Sequence, residues 1–451
     1  MRWWLAGAAA AIGLVAFEAV AQTPVDSTAV SVFTEHPRLF LRPARLRLLQ
    51  KERERASARW QQFDGYVSAD APLPEPGFAE ALYYQITGNR QAGRKAIAWA
   101  LAAQPAGAHR DLRQLALVFD WCQKLLSESE RRELIARIAT GMEETAREDS
   151  IGAVRARVLA AVALYDDLPD APNRELQRTV QEWWNGKLLP AIAQGRPPAR
   201  ADAYGLWEIL HAIRDNTNLD LRESAPRFFK IFPVEHLMSN YPASYPGEDN
   251  DFRIGAAAKT GPPDLTAATL FRAAELAMVA FDTNSQENQY LQGWLMHDRF
   301  SLRSALGAPY EFLWANPYQP GLSYTLLPLV YHNPDTGTVF VRSDWEESAQ
   351  WFGYFDGVAQ LFREGRVQPL ALSGTPPLVL SSAAIYFGAT RFRVKLDEDQ
   401  SAVIVVGLKP GKTYRVEIDD EEVAEQPADR GGVLLLDVPR GKETGVRLGE
   451  L

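Results

Sequence analysis

The sequence predicts an α+β multidomain protein, in which an N-terminal domain of helical hairpins precedes a C-terminal antiparallel β-sandwich. Three observations point to this fold. The chain has 451 residues, of which 46% are hydrophobic, and this is enough for two buried cores. From about residue 42 to 303, apolar residues recur at helical spacing without a convincing strand. From residue 337 onward, short runs rich in β-branched and aromatic residues alternate with turn residues.

The first 21 residues have the pattern of a cleavable export signal. Arg2 precedes an apolar run from Leu5 to Phe17, and Ala19-Val20-Ala21 stands before Gln22. The apolar run is shorter than the roughly 20 residues that a membrane-spanning helix needs. We therefore expect residues 1–21 to be removed, the mature chain to have no transmembrane span, and the protein to be periplasmic or secreted.

Composition argues against several classes of function. The formal net charge of −9 disfavours general attraction to nucleic acid. Cys122 is the only cysteine, which excludes an intramolecular disulfide and a cysteine-based metal cluster. The chain has six histidines, and we find no GxSxG, HExxH, CxxC or glycine-rich phosphate loop. We therefore expect no cofactor and no metal, apart from one alternative at a loop described below.

The helical part is predicted to span residues 22–335. FAEALYYQIT (78–87) and RKAIAWALAA (94–103) are apolar at helical spacing, and the breaker Gly88-Asn89 between them predicts two helices packed back to back. Ser127 and Glu130 form a capping-box pattern at the start of another helix. Further helices are predicted over 151–165, 174–194, 203–214, 222–240, 264–281 and 285–303. Paired antiparallel helices of this kind can form a bundle, a solenoid or a closed toroid.

The β part is predicted to span residues 336–451. It contains the strand-like runs VIVVGL, TYRVEI, GVLLLDV and GVRLG, which are separated by turn residues such as Lys409-Pro410-Gly411-Lys412 and Asp419-Asp420. Several short strands at this spacing predict a sandwich. The segment GLKPGKTYRVEIDDEE (407–422) reads as part of a small accessory sandwich, for which packing against the helices is favoured over binding.

Four segments resemble the heparinase II/III-like and alginate-lyase-like polysaccharide lyases. They are HPRLF (36–40), YYQITGNRQAGRKAI (83–97), VFDWCQKLLSESERRELI (118–135) and VFVRSDWEESAQWFGYFDG (339–357), and LFREGRVQPLALSG (361–374) is similar to a later family stretch. The resemblance implies an α/α toroid followed by a β-sandwich, and β-elimination of an acidic, uronic-acid polysaccharide. One departure is clear. The family supplies a histidine-rich turn after the strand that ends near Gly357, whereas no histidine follows His332 here.

Elimination from a uronic acid requires a group that neutralises the carboxylate and a base that removes the adjacent proton. The segment AYGLWEILHAIRDNTN (203–218) carries suitable residues, and a helix places those three or four positions apart on one face. The alternative is a polar network between helices in which Glu208 and His211 satisfy each other. The catalytic candidates are Tyr204 and His211, and the substrate-binding candidates are Glu208, Arg214 and Asn216.

The segment YPASYPGEDNDFR (241–253) predicts an irregular loop, because two prolines and a glycine interrupt it. The resemblance implies that Tyr245 matches a tyrosine on a loop of the family's cleft, which makes it a candidate catalytic residue. The substrate-binding candidates in this loop are Glu248, Asn250 and Arg253. The alternatives are a solvated acidic loop or a carboxylate cluster that holds a divalent cation.

The segment FLWANPYQPGLSYTLLPLVYHNP (312–334) is rich in aromatic residues. Sugars present C–H faces to aromatic rings, so Tyr318 is a candidate substrate-binding residue. A structural role is favoured for Trp314 and Tyr324.

Three functions remain open from the sequence. The leading one is an exported carbohydrate-active protein that binds a polysaccharide or oligosaccharide and cleaves an acidic polymer by β-elimination. The second is a catalytically degenerate relative that binds a glycan or an envelope partner, as the missing histidine turn suggests. The third is an α/α-barrel glycoside hydrolase, which needs two carboxylates, with Glu208 and Glu248 as first choices. A shared active site requires convergence on one cleft by Tyr204, His211, Asn216, Tyr245 and Arg253.

Overall fold

The computed structural model describes residues 24–25, 30–102, 109–244, 253–258, 261–300, 302–398, 400 and 402–451. Its α-helices are α1 (Pro43–Glu54), α2 (Ala58–Ser68), α3 (Pro76–Thr87), α4 (Arg90–Ala102), α5 (His109–Cys122), α6 (Glu128–Glu144), α7 (Ile151–Ala163), α8 (Ala171–Arg178), α9 (Leu189–Ala193), α10 (Ala203–Thr217), α11 (Pro226–Ser239), α12 (Leu265–Phe281), α13 (Gln286–His297) and α14 (Gly307–Trp314). A π-helical segment, Thr179–Leu188, joins α8 to α9.

The helices form a closed toroid, as predicted. Around its inner ring, α3 packs on α5, α5 on α7, α7 on α10, α10 on α12, and α12 on α14, and α14 returns through α2 to α3. Helices α4, α6, α8, α11 and α13 pack on the inner helices from outside. Because outer helices return the chain after α3, α5, α7, α10 and α12, the inner helices α3, α5, α7, α10, α12 and α14 all begin at the same end. We call that end the mouth, and the opposite end the base.

The base is closed by the N-terminal segment that contains HPRLF. The Asp120 carboxylate, near the end of α5, accepts hydrogen bonds from the backbone N–H of Arg38 at 3.0 Å and of Leu39 at 2.8 Å, and it faces the His36 ring. The Trp121 indole donates to the carbonyl of Leu39 at 2.9 Å. HPRLF, one of the segments on which the resemblance rests, therefore forms an N-terminal plug that closes the base of the toroid.

Local signals in the sequence fix several helix ends. The Ser127 hydroxyl accepts from the N–H of Glu130, and the Glu130 carboxylate accepts from the N–H of Ser127, which is the predicted capping box. Gly88 ends α3 with φ of 72°, a conformation that favours glycine. The helix predicted over 285–303 stops earlier, at His297, because Arg299 and Phe300 adopt left-handed φ values of 56° and 57°.

The strands are β1 (Asn240–Ser244), β2 (Arg253–Gly255), β3 (Val330–Asn333), β4 (Thr338–Arg342), β5 (Trp351–Phe355), β6 (Val358–Arg363), β7 (Arg366–Leu370), β8 (Leu378–Val379), β9 (Ala383–Phe387), β10 (Arg391–Lys395), β11 (Ala402–Val406), β12 (Thr413–Ile418), β13 (Glu421–Pro427), β14 (Leu434–Leu436) and β15 (Glu443–Glu450). The antiparallel pair β1–β2 lies between α11 and α12. The prediction of a helical region without strands was wrong there, because a ribbon this short leaves no alternating pattern to detect.

The C-terminal strands stack as three sheets with strand orders β3-β4-β5-β6-β7, β14-β11-β9-β8 and β10-β15-β12-β13. Within the part of the chain that the structure describes, every strand pair is antiparallel except β9 with β11. Along β11, Val403 and Val405 enter the core shared with the third sheet, whereas Ile404 and Val406 enter the core shared with the first. The accessory strands therefore pack on the middle sheet and not on the helices, contrary to the favoured prediction.

The first sheet packs on the outside of the toroid beside α11. The Trp351 indole donates to the carbonyl of Met238 at 2.9 Å, and the Arg342 guanidinium donates to the carbonyl of Asn240. Phe340 and Phe355 belong to the same hydrophobic core as the helices. The helical and β parts therefore share buried surface.

Candidate functional site

A cavity of ≈ 560 Å³ lies at the mouth. It is lined by the turn before α3, by residues in the first two turns of α7, α12 and α14, and by the loop before α14. We call it the mouth cavity. Its lining includes the side chains of Glu75, Arg155, Leu265, Leu270, Leu306 and Tyr310.

A buried polar network reaches the wall of this cavity. The Glu75 carboxylate accepts hydrogen bonds from the Tyr310 hydroxyl and from Nη1 of Arg113 at 3.2 Å. Nε and Nη2 of Arg113 donate to the two oxygens of Glu208 at 2.8 and 2.6 Å. Arg113 thus bridges two carboxylates from different parts of the ring, in the paired geometry that suits a guanidinium.

Glu208 is enclosed on all sides by this network. It also accepts from the Tyr204 hydroxyl at 2.6 Å and lies 3.3 Å from Nη1 of Arg155, and the Trp314 indole donates to the Tyr204 oxygen at 3.1 Å. Its side chain is 0% exposed. Glu208 therefore organises the floor of the site, and it is fully buried and not among the described residues that line the mouth cavity.

The two tyrosines of the network are proton donors at neutral pH. Burial raises the pKa of Tyr204 well above its usual value, and the nearby Glu208 carboxylate adds to the shift. Burial also raises the pKa of Tyr310 well above its usual value, although the Arg113 charge opposes this and Glu75 reinforces it. Neither phenol is suited to act as a base.

An exposed carboxyl group lies close to Arg155. Asp202 ends the 3₁₀ turn before α10 and is open to solvent. Although the residue as a whole is exposed, protein atoms around its carboxyl group remove part of its hydration and raise its pKa, while the charge of Arg155 opposes the shift. Gly205 lets α10 approach α7 here, because a Cβ at this position would lie 3.0 Å from Cγ2 of Ile151 and 3.7 Å from Cδ of Arg155.

The other predicted residues of α10 lie away from the mouth cavity. His211 is buried and donates from Nε2 to the carbonyl of Ala277 at 3.0 Å, and burial lowers its pKa although Asp215 opposes this. Nη1 of Arg214 donates to the carbonyl of Phe281 at 2.6 Å. Asn216 lies at the base, where its carbonyl accepts from the N–H of Phe33 at 3.2 Å.

The remaining predicted residues are also separated. Nη1 of Arg253 donates to Asp298 at 2.9 Å, and its guanidinium lies 4.8 Å from the centre of the Trp294 ring. Tyr318 is 50% exposed on the outside, with the guanidinium of Arg55 at 5.0 Å from its ring centre. Three candidates lie outside the described residues: Tyr245, Glu248 and Asn250.

The described members of the predicted site therefore do not meet in one cleft. Tyr204 and Glu208 share the floor of the mouth cavity, whereas His211, Asn216 and Arg253 each have separate structural partners. The roles of the predicted residues in catalysis and binding stay predictions.

Sequence reasoning missed the residues that line or support the mouth cavity. Arg113 and Arg155 are charged residues within apolar helical runs, and that mismatch was a usable signal. Glu75 stands between two prolines in PLPEPG and carries no comparable signal. Tyr310 was likewise not singled out, nor was Asp202, which lies outside the cavity lining.

The described residues show neither a metal-binding cluster nor a membrane-spanning helix. They contain no cluster of three or more His, Cys, Asp or Glu side chains arranged to hold a metal ion. None of their helices has the length and apolar character needed to cross a bilayer.

Comparison with known proteins gives structural neighbours alone. No family model matches the chain, and no curated protein matches it. One solved structure, described as a glycoside hydrolase, has 9% sequence identity and a TM-score of 0.31, with 94% of this chain and 77% of the other covered. Another, described as a GH127 β-arabinofuranosidase, has 10% identity and a TM-score of 0.32, with 94% and 80% covered. Likeness at these scores carries no argument about function.

Proposed function

We propose that this chain is an exported carbohydrate-active protein that hydrolyses a glycan at the mouth cavity. The observation that supports this most is the position of Glu75, whose carboxylate is held by Arg113 and Tyr310 on the wall of a ≈ 560 Å³ cavity. Cavities of roughly 300–1,000 Å³ with a few fixed polar groups are typical of small-ligand sites. Export rests on the sequence pattern of residues 1–21.

Hydrolysis of a glycosidic bond uses two carboxyl groups in different protonation states. Asp202 is the proposed acid: it lies outside the cavity lining, but the charge of the lining residue Arg155 acts on it, and partial burial of its carboxyl group raises its pKa. Glu75 suits the base or nucleophile, because two donors stabilise its charged form. Glu208, the first choice from sequence, is fully buried and fits the role of holding Arg113 in place.

β-Elimination of a uronic-acid polymer is the second candidate. Arg155 lines the cavity, and the inner helices point their N-terminal, partly positive ends towards the mouth, an environment that would neutralise a uronate carboxylate. The elimination mechanism also requires a general base, and the raised pKa of Tyr310 disfavours a tyrosine in that role.

One assay separates the candidates. Purified protein is incubated with neutral and uronic-acid oligosaccharides, and both new reducing ends and the ultraviolet absorbance of unsaturated uronates are recorded. Hydrolysis predicts new reducing ends without the absorbance, whereas elimination predicts both. If folded protein yields neither product across the panel, the enzymatic proposal fails and the glycan-binding alternative takes its place.

A further inference from the structure

The two sides of the mouth cavity differ in chemistry. The turn before α3 and the second turn of α7 contribute the charged groups of Glu75 and Arg155. The start of α12 and the loop before α14 contribute the aliphatic side chains of Leu265, Leu270 and Leu306. A ligand that fills the cavity therefore meets charged groups from one pair of elements, and a leucine surface bordered by the hydroxyls of Thr266, Thr269 and Ser304 from the other.

The leucine surface is only partly used by the protein core. Leu270 and Leu306 are half-buried and pack on the core from one side, while Leu265 is 43% exposed. The position of Leu265 is fixed, because Asp264 caps α12 by accepting from the N–H of Ala267 at 3.0 Å. A ligand that covers apolar side chains in a concave surface removes apolar area from water, and this stabilises the complex.

This surface suits a small aliphatic group better than the face of a sugar ring. Sugar rings pack preferentially on aromatic rings. Among the described residues that line the cavity, Tyr310 is the one aromatic residue, and at 1% exposure its ring offers no surface for a sugar. The hydroxyls of Thr266 and Ser304 border the leucines and can donate to a carbonyl oxygen. A methyl group next to a carbonyl matches both features.

We propose that the mouth cavity selects a glycan that carries an acetyl group. The acetyl methyl packs on Leu265, Leu270 and Leu306, and the carbonyl oxygen accepts from Thr266 or Ser304. This inference rests on the proposed function, because it names the substrate class of the same cavity.

The test compares N-acetyl and N-formyl versions of one oligosaccharide, which differ by the methyl group alone. Binding of each to the full chain is measured by calorimetry. Burial of one methyl group predicts about fourfold tighter binding of the N-acetyl form. Leu265→Ser should reduce this preference to below roughly twofold, whereas Leu326→Ser, at a residue that is 71% exposed and outside the cavity lining, should leave it unchanged.

Each other outcome has a distinct meaning. Equal binding of the two forms would overturn the acetyl assignment and leave the proposed function standing. A preference that persists in Leu265→Ser combined with Leu270→Ser would also overturn it, because the methyl group would then bind elsewhere. Binding of neither form, nor of any glycan in the hydrolysis panel, would overturn the proposed function together with this inference.

Discussion

Asp202 is exposed at the residue level, and partial burial of its carboxyl group raises its pKa, although the charge of Arg155 opposes the shift. We predict that Asp202→Asn lowers kcat for glycan hydrolysis by about 10²–10⁴-fold, because the variant loses the proton that the leaving oxygen requires. The measurement is the initial rate of reducing-end release. Asp437→Asn, a change at an exposed aspartate in the β part, is the matched control and should keep the wild-type rate. A wild-type rate in Asp202→Asn would remove this residue from the mechanism.

The buried Glu311 carboxyl group makes the free energy of unfolding depend on pH. Burial raises its pKa to about 7, although a hydrogen bond from the N–H of Leu302 at 2.7 Å opposes the shift. The unfolded state, with its lower pKa, loses the proton first as pH rises. The free energy of unfolding therefore falls between about pH 4.5 and pH 7, and this contribution is constant above that range.

Glu311→Gln removes this pH dependence while it keeps an acceptor for the N–H of Leu302. We expect the loss of stability between about pH 4.5 and 7.5 to be smaller in the variant by roughly 1–3 kcal/mol, measured by urea unfolding. Glu128→Gln, at an exposed glutamate of α6, should follow the wild-type profile. Parallel profiles for Glu311→Gln and wild type would show that this carboxyl group keeps its ordinary pKa.

At the scale of elements, the N-terminal plug depends on one carboxylate at the end of α5. Asp120→Ala leaves the buried N–H groups of Arg38 and Leu39 without their acceptor, so we expect a loss of roughly 2–4 kcal/mol in unfolding free energy and faster hydrogen exchange across 36–41. Asp166→Ala removes the 62% exposed partner of Arg38 and should cost below about 1 kcal/mol. Similar effects of the two variants would contradict this account.

The sequence predicts elements well where the signal is local. The capping box at Ser127 and the breaker at Gly88 are each encoded within four residues, and both are present in the structure. The predicted helix over 203–214 corresponds to Ala203–Thr217. The β1–β2 ribbon and the end of α13 were missed, because short pairings and left-handed backbone at ordinary residues such as Arg299 leave little trace in composition.

At the scale of the whole molecule, neighbouring residues of β5 serve two different cores. Trp351 faces the helices and Phe352 faces the middle sheet. We predict that Trp351→Ala and Phe352→Ala each cost roughly 3–5 kcal/mol, but in different places. Hydrogen exchange should accelerate near Met238 in the first variant and along β9 and β11 in the second. The same exchange pattern in both would argue against two separate cores.

The fold class could be predicted because helical and strand periodicities occupy separate parts of the chain, the helical one before about residue 330 and the strand one after it. The mouth site could not be predicted, because its parts are distant in sequence. Arg113 is 38 residues from Glu75 and 95 from Glu208, and Tyr310 is 235 residues from Glu75. Only closure of the ring brings them together. Spacing within α10 grouped Tyr204 with His211, but the ring directs them to different partners.

The central claim is that the mouth cavity is the functional site, and hydrogen–deuterium exchange with and without a bound oligosaccharide tests it most directly. We predict that a bound oligosaccharide slows exchange at the start of α12 (Leu265–Leu270), at Gly307–Tyr310 and near Glu75, and leaves exchange at the base unchanged. Protection confined to the second cavity, of ≈ 380 Å³ beside Phe228 and Asp335, would contradict it.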